Sequence, residues 1–509
     1  MTEPKLVNLT IEGRAVSVPE GTTILEAAKT AGVLIPHYCY HPGLKIVGVC
    51  RMCLVDVEKM PKLAPSCATT VGEGQVVHVY SQKALDARKG VLELLLINHP
   101  LDCPICDQAG ECELQDYTYQ EGRADSRYHE AKRFNPAEDF GGDVLYVTNR
   151  CILCTRCVRF MGDVAGDRAL CVEERGDRAH IGIAPDRDLS HAWGANVIDL
   201  CPVGALVSKD FLNKARAWEL DRTASVCPSC SQGCNITLEL RDAEVVRLKP
   251  RSNLAVNHFY MCDEGRLNYR WINRADRLET PMVAGKPATW EAALHAAGTA
   301  LSGRSVHVVA GASLSNEALW LLKQAAGTGT FRVAQGGEAA LPGVPDLALR
   351  ADRAPNGTGA ELLGFTRSEN PLAGAGGVVV IAGEDCAGLD TSGLASASAV
   401  IAIGTVLPKG LPAHAIVLPI ANFAEEEGTF TNLRGRVQRY LQARPAPGHA
   451  RASWAVLSDL ATAASKQGGY PSAEAVFAAM AGREAAFGGM SYDSLGLKGQ
   501  AAASAGVNA

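Results

Sequence analysis

The chain has 509 residues, a formal net charge of −6 and 17 cysteines. This length predicts several domains, and the evenly mixed charges argue against a nucleic-acid surface or a polybasic membrane anchor. The first residues contain no basic region followed by an apolar one, and no run of 18 apolar residues occurs, so we expect no secretory signal and no membrane span. Sixteen cysteines precede residue 263, mostly in tight groups, which indicates metal binding in a reducing compartment.

The N-terminal stretch "KLVNLTIEGRAVSVPEGTTILEAAKTAG" predicts a strand, a turn at Glu12 and Gly13, a second strand and a helix. Thr23 and Glu26 form a capping-box pattern at the helix start, and Gly32 suits its end. Loop cysteines after two strands and a helix favour a β-grasp ferredoxin with [2Fe–2S] over a zinc loop, although the first ten-residue gap departs from the plant-type spacing. The candidate ligands are Cys39, Cys50, Cys53 and Cys67.

The second group, "NHPLDCPICDQAGEC", has one histidine ahead of three cysteines. An apolar helical run, "KGVLELLLINHP", ends at Pro100 and places the histidine at a helix end, toward the cysteine loop. Three thiolates and one imidazole suit zinc as well as an iron–sulfur cluster, so the residues by themselves leave both metals open. The candidate ligands are His99, Cys103, Cys106 and Cys112.

The third group is a ferredoxin pattern with half of its ligands missing. In two-cluster ferredoxins the run C-x2-C-x2-C-x3-C-P occurs twice, and each fourth cysteine serves the other cluster. Here Met161 replaces the fourth cysteine of the first run, and His191, Gly194 and Val197 replace the first three of the second. One complete set remains, which predicts a ferredoxin-like domain with a single [4Fe–4S]. Its ligands would be Cys151, Cys154, Cys157 and Cys201.

The fourth group combines "CPSCSQGC" with a distant cysteine in "MCDEGR". The C-x2-C-x3-C opening favours [4Fe–4S] over a zinc ribbon, which usually has two C-x2-C pairs. The candidate ligands are Cys227, Cys230, Cys234 and Cys262. The remaining cysteines, Cys171 and Cys386, are interpreted as buried structural residues.

The second half of the chain predicts an α/β domain. An apolar run at 306–310 followed by a leucine-rich helix up to Gly327 predicts a strand and a helix, and "GGVVVIAG" and "SAVIAIGTVLP" are typical of buried parallel strands. Their alternation predicts a doubly wound sheet. The "GAGG" at 374–377 precedes a strand and is not G-x-G-x-x-G, so we expect no NADH site. From residue 466 we expect a tail with one helix, "SAEAVFAAMAG", and a mobile end.

Taken together, the four groups resemble the large iron–sulfur subunit (G or 75-kDa subunit) family of NADH:quinone oxidoreductase, respiratory complex I. The stretches "RLETPMVAGKPATWEAAL" and "FAEEEGTFTNLRGRVQ" look like the related molybdopterin oxidoreductase superfamily. The resemblance implies that His99 is an iron ligand of a [4Fe–4S] cluster. Because a neutral imidazole replaces an anionic thiolate there, that site is less negative and its potential should be raised.

The resemblance also implies a multidomain α+β and α/β chain with six parts. They are a β-grasp [2Fe–2S] domain (1–80), a helical domain with one His and three Cys ligands (81–140), a ferredoxin-like [4Fe–4S] domain (141–218), a [4Fe–4S] domain of the molybdopterin type (219–275), a catalytically silent molybdopterin-oxidoreductase-like α/β domain (276–465) and a tail (466–509).

The function implied is an electron relay without catalytic residues of its own, carrying one [2Fe–2S] and three [4Fe–4S] clusters and no molybdenum. Electrons from an FMN- and NADH-binding flavoprotein subunit would enter at the Cys39 group, pass to the Cys154 group and then to the His99 group. They would leave for a second ferredoxin-like iron–sulfur subunit and quinone, with the Cys230 group off this path. The chain would lie in a peripheral arm on the cytoplasmic side of the bacterial inner membrane and contact the membrane only through partners.

Two alternatives are an iron–sulfur and molybdopterin subunit of an NAD-linked formate dehydrogenase or hydrogenase, and a zinc-rich scaffold. A molybdenum enzyme commonly supplies a protein ligand to the metal, but Cys386 is the single cysteine of the second half and has no matching motif. Glu264 also stands where superfamily enzymes often have a lysine after the last cluster ligand. A hydrogen cluster would need further cysteines, which the sequence lacks.

Overall fold

The computed structural model describes residues 5–503, so the predicted mobile end at 504–509 lies outside the described residues. The chain forms two compact units. The first contains the residues up to Leu220 together with Leu341–Val344, and the second contains Asp221–Ala340 and the residues from Pro345 onward. Among the described residues, no helix has the length and apolar character needed to cross a membrane.

The first unit begins with a five-stranded sheet and one helix, as predicted. The strands are β1 (Leu6–Ile11), β2 (Arg14–Pro19), β3 (Leu54–Val57), β4 (Ala64–Pro65) and β5 (Gln75–His78), in the spatial order β2-β1-β5-β3-β4. Strand β1 is antiparallel to β2 and parallel to β5, and its alternate side chains are buried. Helix α1 (Ile24–Thr30) packs on this sheet through four buried residues.

The start of α1 departs from the predicted capping box. Thr23 caps the helix, because its side chain accepts a hydrogen bond from the Glu26 backbone N–H at 3.3 Å. The Glu26 carboxylate instead accepts from Lys29 Nζ at 2.8 Å and from Tyr40 Oη at 2.7 Å. Glu26 therefore ties the helix to the residue after Cys39, and Gly32 ends the helix with a φ of 67°.

Two helices and a small ferredoxin-like region complete the first unit. The elements are α2 (Gln82–Leu96), α3 (Glu113–Glu121), β6 (Glu138–Asp139), β7 (Val144–Tyr146), α4 (Arg156–Arg159), β8 (Leu170–Glu173), β9 (His180–Ile183), α5 (Asn196–Leu200) and β10 (Leu206–Ser208). Strands β10, β7 and β6 form one antiparallel sheet, and β8 pairs with β9. Helix α2 ends at Leu96, so His99 lies three residues beyond it.

Buried apolar side chains occupy two of the four positions where the second ferredoxin cluster would have its ligands. Met161 and Val197 are fully buried, as is the nearby Trp193. A Cβ at Gly194 would overlap the carbonyl oxygen of Leu189, so close backbone packing takes the place of a ligand there. The loss of one cluster site stays a prediction from the sequence.

The second unit opens with an antiparallel meander of β11 (Asp221–Val226), β12 (Asn235–Arg241) and β13 (Glu244–Pro250), followed by α6 (Asp263–Leu267). An eight-stranded sheet follows. Its strands are β14 (Met282–Val283), β15 (Lys286–Pro287), β16 (Val306–Ala310), β17 (Thr330–Phe331), β20 (Thr366–Arg367), β21 (Val378–Ala382), β22 (Ala399–Gly404) and β23 (Ile416–Pro419), in the order β15-β14-β23-β22-β21-β16-β17-β20. From β23 to β20 all pairs are parallel.

The two faces of this sheet are covered differently. On one face pack α7 (Trp290–Leu301), α8 (Asn316–Ala326) and α10 (Ser453–Ala463). On the other face, Val309, Val379 and Ile381 pack against residues of two 3-10 turns, Glu384–Gly388 and Ser392–Ser396, and nearby loops. The predicted parallel strands are thus present, but short turns cover one face where a doubly wound sheet usually has helices.

Within the segment predicted as a tail, residues 466–503 pack into the core of the second unit. Its helix α11 (Ala473–Ala481) matches the predicted helix, and Phe477, Phe487 and Tyr492 are buried in the main core cluster. The remaining elements are β18 (Ala339–Ala340), β19 (Ala348–Leu349), α9 (Gly357–Leu362), β24 (Gly428–Thr431), β25 (Arg436–Tyr440), α12 (Tyr492–Leu495) and β26 (Gln500–Ala501). Strand β26 pairs with β25, which anchors this segment.

Candidate metal centres

The loop between α1 and β3 and the turn after β4 bring the first four cysteines together. The Cys39 backbone N–H donates to Cys50 Sγ at 3.4 Å. Hydrogen bonds from the Cys50 and Cys67 thiols hold the pKa of Cys39 well below its usual range, and Cys67 also bonds to Cys53. The structure therefore gathers all four predicted ligands, and it favours a thiolate among them.

The third group forms an enclosed site. Cys151, Cys154, Cys157 and Cys201 line one cavity, whose walls include Ile152, Ile181, Val203 and Leu206. Leu153 and Thr155, between the cysteines, have φ values of 52° and 60°, in a region that such side chains rarely adopt. This strained loop turns backbone N–H groups toward sulfur, and that of Leu153 donates to Cys151 Sγ at 3.3 Å.

The electrostatics of this cavity fit a metal cluster. Burial raises the pKa of Cys151 and of Cys201 to about 11, and that of Cys154 to about 12. Four buried thiols in an apolar cavity would stay protonated unless positive charge compensates the thiolates. Iron supplies that charge, so the donor set suits an iron–sulfur cluster.

The second group is more open. Burial raises the pKa of Cys112 to about 11, and the charges of Cys103 and Cys106 add to this effect, so the three cysteines lie within electrostatic reach of one another. Burial, together with Lys132 and Arg150, lowers the pKa of His99 to about 4. His99 is therefore a neutral imidazole near neutral pH, which is the form that binds metals. Its membership of the same ligand set stays a prediction.

The fourth group lies in the second unit, between β11 and β12 and at the start of α6. The Cys227 N–H donates to the Cys234 carbonyl at 2.8 Å, and Cys262 Sγ caps α6 by accepting from the Gly265 N–H at 3.3 Å. A Cβ at Gly265 would lie 3.2 Å from Cys262 Sγ and 3.3 Å from Cys227 Sγ, so the missing side chain leaves room beside both sulfurs. All four cysteines are buried.

A single metal ion fits these sites less well than a cluster. Within residues 5–503, no group of three or more His, Cys, Asp or Glu side chains has the geometry to hold one ion. An iron–sulfur cluster spreads its thiolates over two or four irons, so the ligands line a cavity instead of converging on one point. The cavity at Cys154 has this form.

Arginines that the sequence analysis did not single out join the three sites of the first unit. Arg159 donates to the Cys39 carbonyl at 2.5 Å and to the Cys154 carbonyl at 3.4 Å. Arg150 donates to the Asp102 carboxylate at 2.8 and 2.9 Å, and Asp102 precedes Cys103. The arginines interleaved with cysteines in "RCILCTRCVR" are the sequence signal that could have found them.

The second and third sites also touch directly. A Cβ at Gly204, in the loop that follows Cys201, would overlap Cys106 Sγ. This position therefore requires glycine, because any larger residue would displace a predicted ligand of the neighbouring site. His99 and Cys151 line the same open groove, which places the two sites side by side.

Family comparisons assign each site to a domain type. The matching families are 2Fe-2S iron-sulfur cluster binding domain (4–82), NADH-ubiquinone oxidoreductase-G iron-sulfur binding region (88–127), NADH-quinone oxidoreductase subunit 3 ferredoxin-like domain (141–207), molybdopterin oxidoreductase Fe4S4 domain (220–274) and molybdopterin oxidoreductase (363–463). Each group of candidate ligands falls inside one of the first four matches.

Curated relatives support the same assignment. The G subunit of the NADH-quinone oxidoreductase of Rickettsia bellii is 42% identical over 325 residues, which cover 62% of this chain and 48% of that protein. Over about three fifths of its length, the chain is thus similar to NADH-quinone oxidoreductase G subunits. A second relative, the mitochondrial NADH-ubiquinone oxidoreductase 78 kDa subunit of Candida albicans, is 44% identical over 62% of this chain and 45% of its own length. The chain spans about half the length of these curated relatives.

A solved NAD⁺-reducing [NiFe]-hydrogenase is 30% identical to part of the chain. The match covers 41% of this chain and 90% of that one, with a TM-score of 0.38. A score this low carries no argument about fold or activity.

Proposed function

We propose that this chain relays single electrons from an NADH-oxidising flavoprotein subunit toward quinone, as a subunit of NADH:quinone oxidoreductase. The observation that carries the proposal is the continuity of the three sites in the first unit. Arg159 links the backbone of Cys39 to that of Cys154, and Gly204 packs against Cys106. Sites joined in this way suit electron transfer, because its rate falls steeply with the gap between centres.

The proposed ligand sets are those predicted from the sequence. They comprise Cys39, Cys50, Cys53 and Cys67 for [2Fe–2S], and three [4Fe–4S] sets: His99, Cys103, Cys106 and Cys112; Cys151, Cys154, Cys157 and Cys201; and Cys227, Cys230, Cys234 and Cys262. When bound, these clusters take up and release one electron at a time.

The chain itself holds the sulfurs, donates hydrogen bonds to them and excludes water. The backbone N–H of Cys39 donates to the sulfur of Cys50. The N–H groups of Leu153 and Gly265 donate in the same way to the sulfurs of Cys151 and Cys262. Such hydrogen bonds and the apolar walls of the Cys154 cavity set how readily a cluster accepts an electron.

We propose that the α/β domain is catalytically silent and carries no molybdenum. Glu264, which stands where superfamily enzymes often have a lysine, is paired with Arg353 at 2.8 Å. A carboxylate held in this way offers no cation to a pterin at that position.

Side chains of the protein itself also occupy the crevice where an α/β sheet usually binds its ligand. Strand order reverses between β16 and β21, and open α/β sheets bind ligands at the carboxyl ends of such strands. There the Asp385 carboxylate accepts hydrogen bonds from the Ala312 N–H at 2.8 Å and from Ser313 Oγ at 2.5 Å. A Cβ at Gly311 would overlap Asp385 Oδ1, so no space remains between the two loops.

The partners that follow from this proposal are an FMN-containing flavoprotein subunit and a second ferredoxin-like iron–sulfur subunit. The chain would reach the membrane only through partner subunits, in a peripheral arm on the cytoplasmic side of the inner membrane.

The first test is the metal content of anaerobically purified protein. The four ligand sets call for about fourteen irons per chain, with neither zinc nor molybdenum. A value near ten would point to an empty Cys230 site. About one molybdenum per chain would contradict the proposal and make the α/β domain catalytic.

A further inference from the structure

Arg156 stands at the junction of the three sites of the first unit. Its guanidinium donates to the Tyr40 carbonyl at 2.8 Å and to the Leu200 carbonyl at 3.2 Å. It also donates to both oxygens of the Glu113 carboxylate, at 3.3 and 3.4 Å. Tyr40 follows Cys39, Leu200 precedes Cys201 and Glu113 follows Cys112. The Arg156 side chain therefore contacts a residue next to a candidate ligand in each of these three sites.

The burial of this charge needs an explanation. The Arg156 side chain is 5% exposed and lines the cavity of the Cys154 site. A buried guanidinium is costly unless its charge and its donors are satisfied. Its one carboxylate partner lies at the long end of the hydrogen-bond range, and the remaining acceptors are neutral carbonyls. The positive charge is therefore only partly compensated by Glu113, and it faces a cavity lined by four cysteines.

The planar guanidinium group of arginine, with its fork of N–H donors, is suited to this position. Arginine presents several donors in fixed directions, whereas lysine carries a single ammonium group on a flexible stem. Because the three acceptor residues lie 43 to 116 residues from Arg156 in sequence and on separate segments, the fork fixes those segments relative to one another. The same charge would stabilise a reduced cluster in the cavity, since reduction adds a negative charge.

We propose that Arg156 is the positioning residue that sets the spacing of the three cluster sites, and that its buried positive charge raises the reduction potential of the cluster at Cys154. This inference rests on the proposed function, because it requires clusters at these cysteines. Arg156 thus has two proposed roles, fixing the spacing of the sites and supplying a positive charge. Different substitutions can test the two roles separately.

The test uses three variants of the full-length chain, each purified anaerobically. Arg156→Met removes both charge and fork, Arg156→Lys keeps the charge but loses the fork, and Glu113→Gln removes the opposing charge. Arg175→Met, at an exposed position, is the matched control. The readouts are iron per chain, the midpoint potential of the Cys154 cluster by EPR titration, and the magnetic broadening between neighbouring clusters.

We expect Arg156→Met to lower the midpoint by about 59 mV, a tenfold change in the equilibrium for a one-electron couple, and to alter the magnetic broadening. Arg156→Lys should keep the midpoint and alter the broadening. Glu113→Gln should raise the midpoint, and Arg175→Met should change neither. A purely structural role would not produce midpoint shifts of opposite sign.

Full iron content with unchanged midpoints and broadening in Arg156→Met would overturn the inference while leaving the proposed function intact. If Arg156→Met fails to assemble, Glu113→Gln decides: a raised midpoint supports the inference, and an unchanged one overturns it. A wild-type chain without iron at the Cys154 site would instead overturn the proposed function, and this inference with it.

Discussion

The Cys154 site and the Cys230 site have the same number of cysteines in different polar surroundings. Beside the first lie Arg156 and Arg159, which donate to backbone carbonyls next to ligands. Beside the second, neutral amides hold the loop: Gln438 donates to the Gly233 carbonyl at 2.9 Å, and Gln232 donates to the Val256 carbonyl at 3.0 Å. A buried guanidinium thus lines the cavity of the first site, whereas side-chain amides hold the loop of the second.

Two arginines also lie near the Cys230 site. Arg353 is paired with Glu264 at 2.8 Å and Arg350 lies 3.8 Å from Glu338, and both cations oppose the rise that burial causes in the pKa of Cys230. Our proposal that the first unit moves electrons and that the fourth site serves stability can be tested on this pair of sites.

The sharpest test of this contrast is a pair of ligand substitutions. Cys154→Ala should abolish NADH-to-quinone electron transfer in the assembled complex while leaving flavin reduction by NADH unchanged. Cys230→Ala should retain quinone reduction but lower the stability of the second unit. Stopped-flow absorbance of flavin and quinone measures both steps, and rapid quinone reduction by Cys154→Ala would refute the proposed path.

The next largest effect concerns the contact between the second and third sites. Gly204→Ala brings a Cβ into overlap with Cys106 Sγ and should destabilise the first unit by about 1–3 kcal/mol, with loss of iron. Gly162→Ala is the control, because a Cβ there has nothing within 4 Å. Thermal unfolding and iron analysis of both variants measure the difference, and equal behaviour would contradict the direct contact.

The second unit also buries two carboxyl groups, those of Glu317 and Glu426, and this predicts a pH effect. Glu317 accepts from the Thr429 N–H at 2.9 Å and from Tyr492 Oη at 2.8 Å, and Glu426 accepts from Ser453 Oγ at 2.8 Å. Burial raises the pKa of Glu317 to about 7 and that of Glu426 to about 8.

Because the folded state binds protons that the unfolded state releases above pH 4.5, local stability should fall as pH rises from about 5 to 8. Hydrogen exchange of the β24 and α10 amides measures this loss. Glu426→Gln should flatten the profile, whereas the exposed Glu291→Gln should leave it unchanged. Rising protection between pH 5 and 8 would refute the assignment of neutral buried acids.

The smallest expected effect concerns the histidine site. His99→Cys should keep a cluster but lower its midpoint potential, because a thiolate adds negative charge beside the reduced cluster. EPR titration of the variant and the wild-type chain compares the two potentials. An unchanged or raised midpoint would contradict the charge argument.

Much of the fold was predictable because it depends on local pattern. The hairpin and helix before Cys39 follow from alternation, the turn at Gly13 and the cap at Thr23. The parallel strands at 378–382 and 399–404 follow from continuous apolar runs. The short turns on one face of that sheet and the packing of Phe477 and Tyr492 were not predictable, because they depend on surfaces formed by distant segments.

The sequence by itself predicted the candidate ligand groups and the family that they resemble, because clusters demand cysteines at short, recognisable spacings. It also indicated the lost ferredoxin site, since Met161 and Val197 stand at fixed positions in a known pattern. Tertiary structure alone decided how the sites are joined. Arg156 meets carbonyls 44 and 116 residues away, and no local spacing encodes such a meeting, because it arises only when the loops fold against one another.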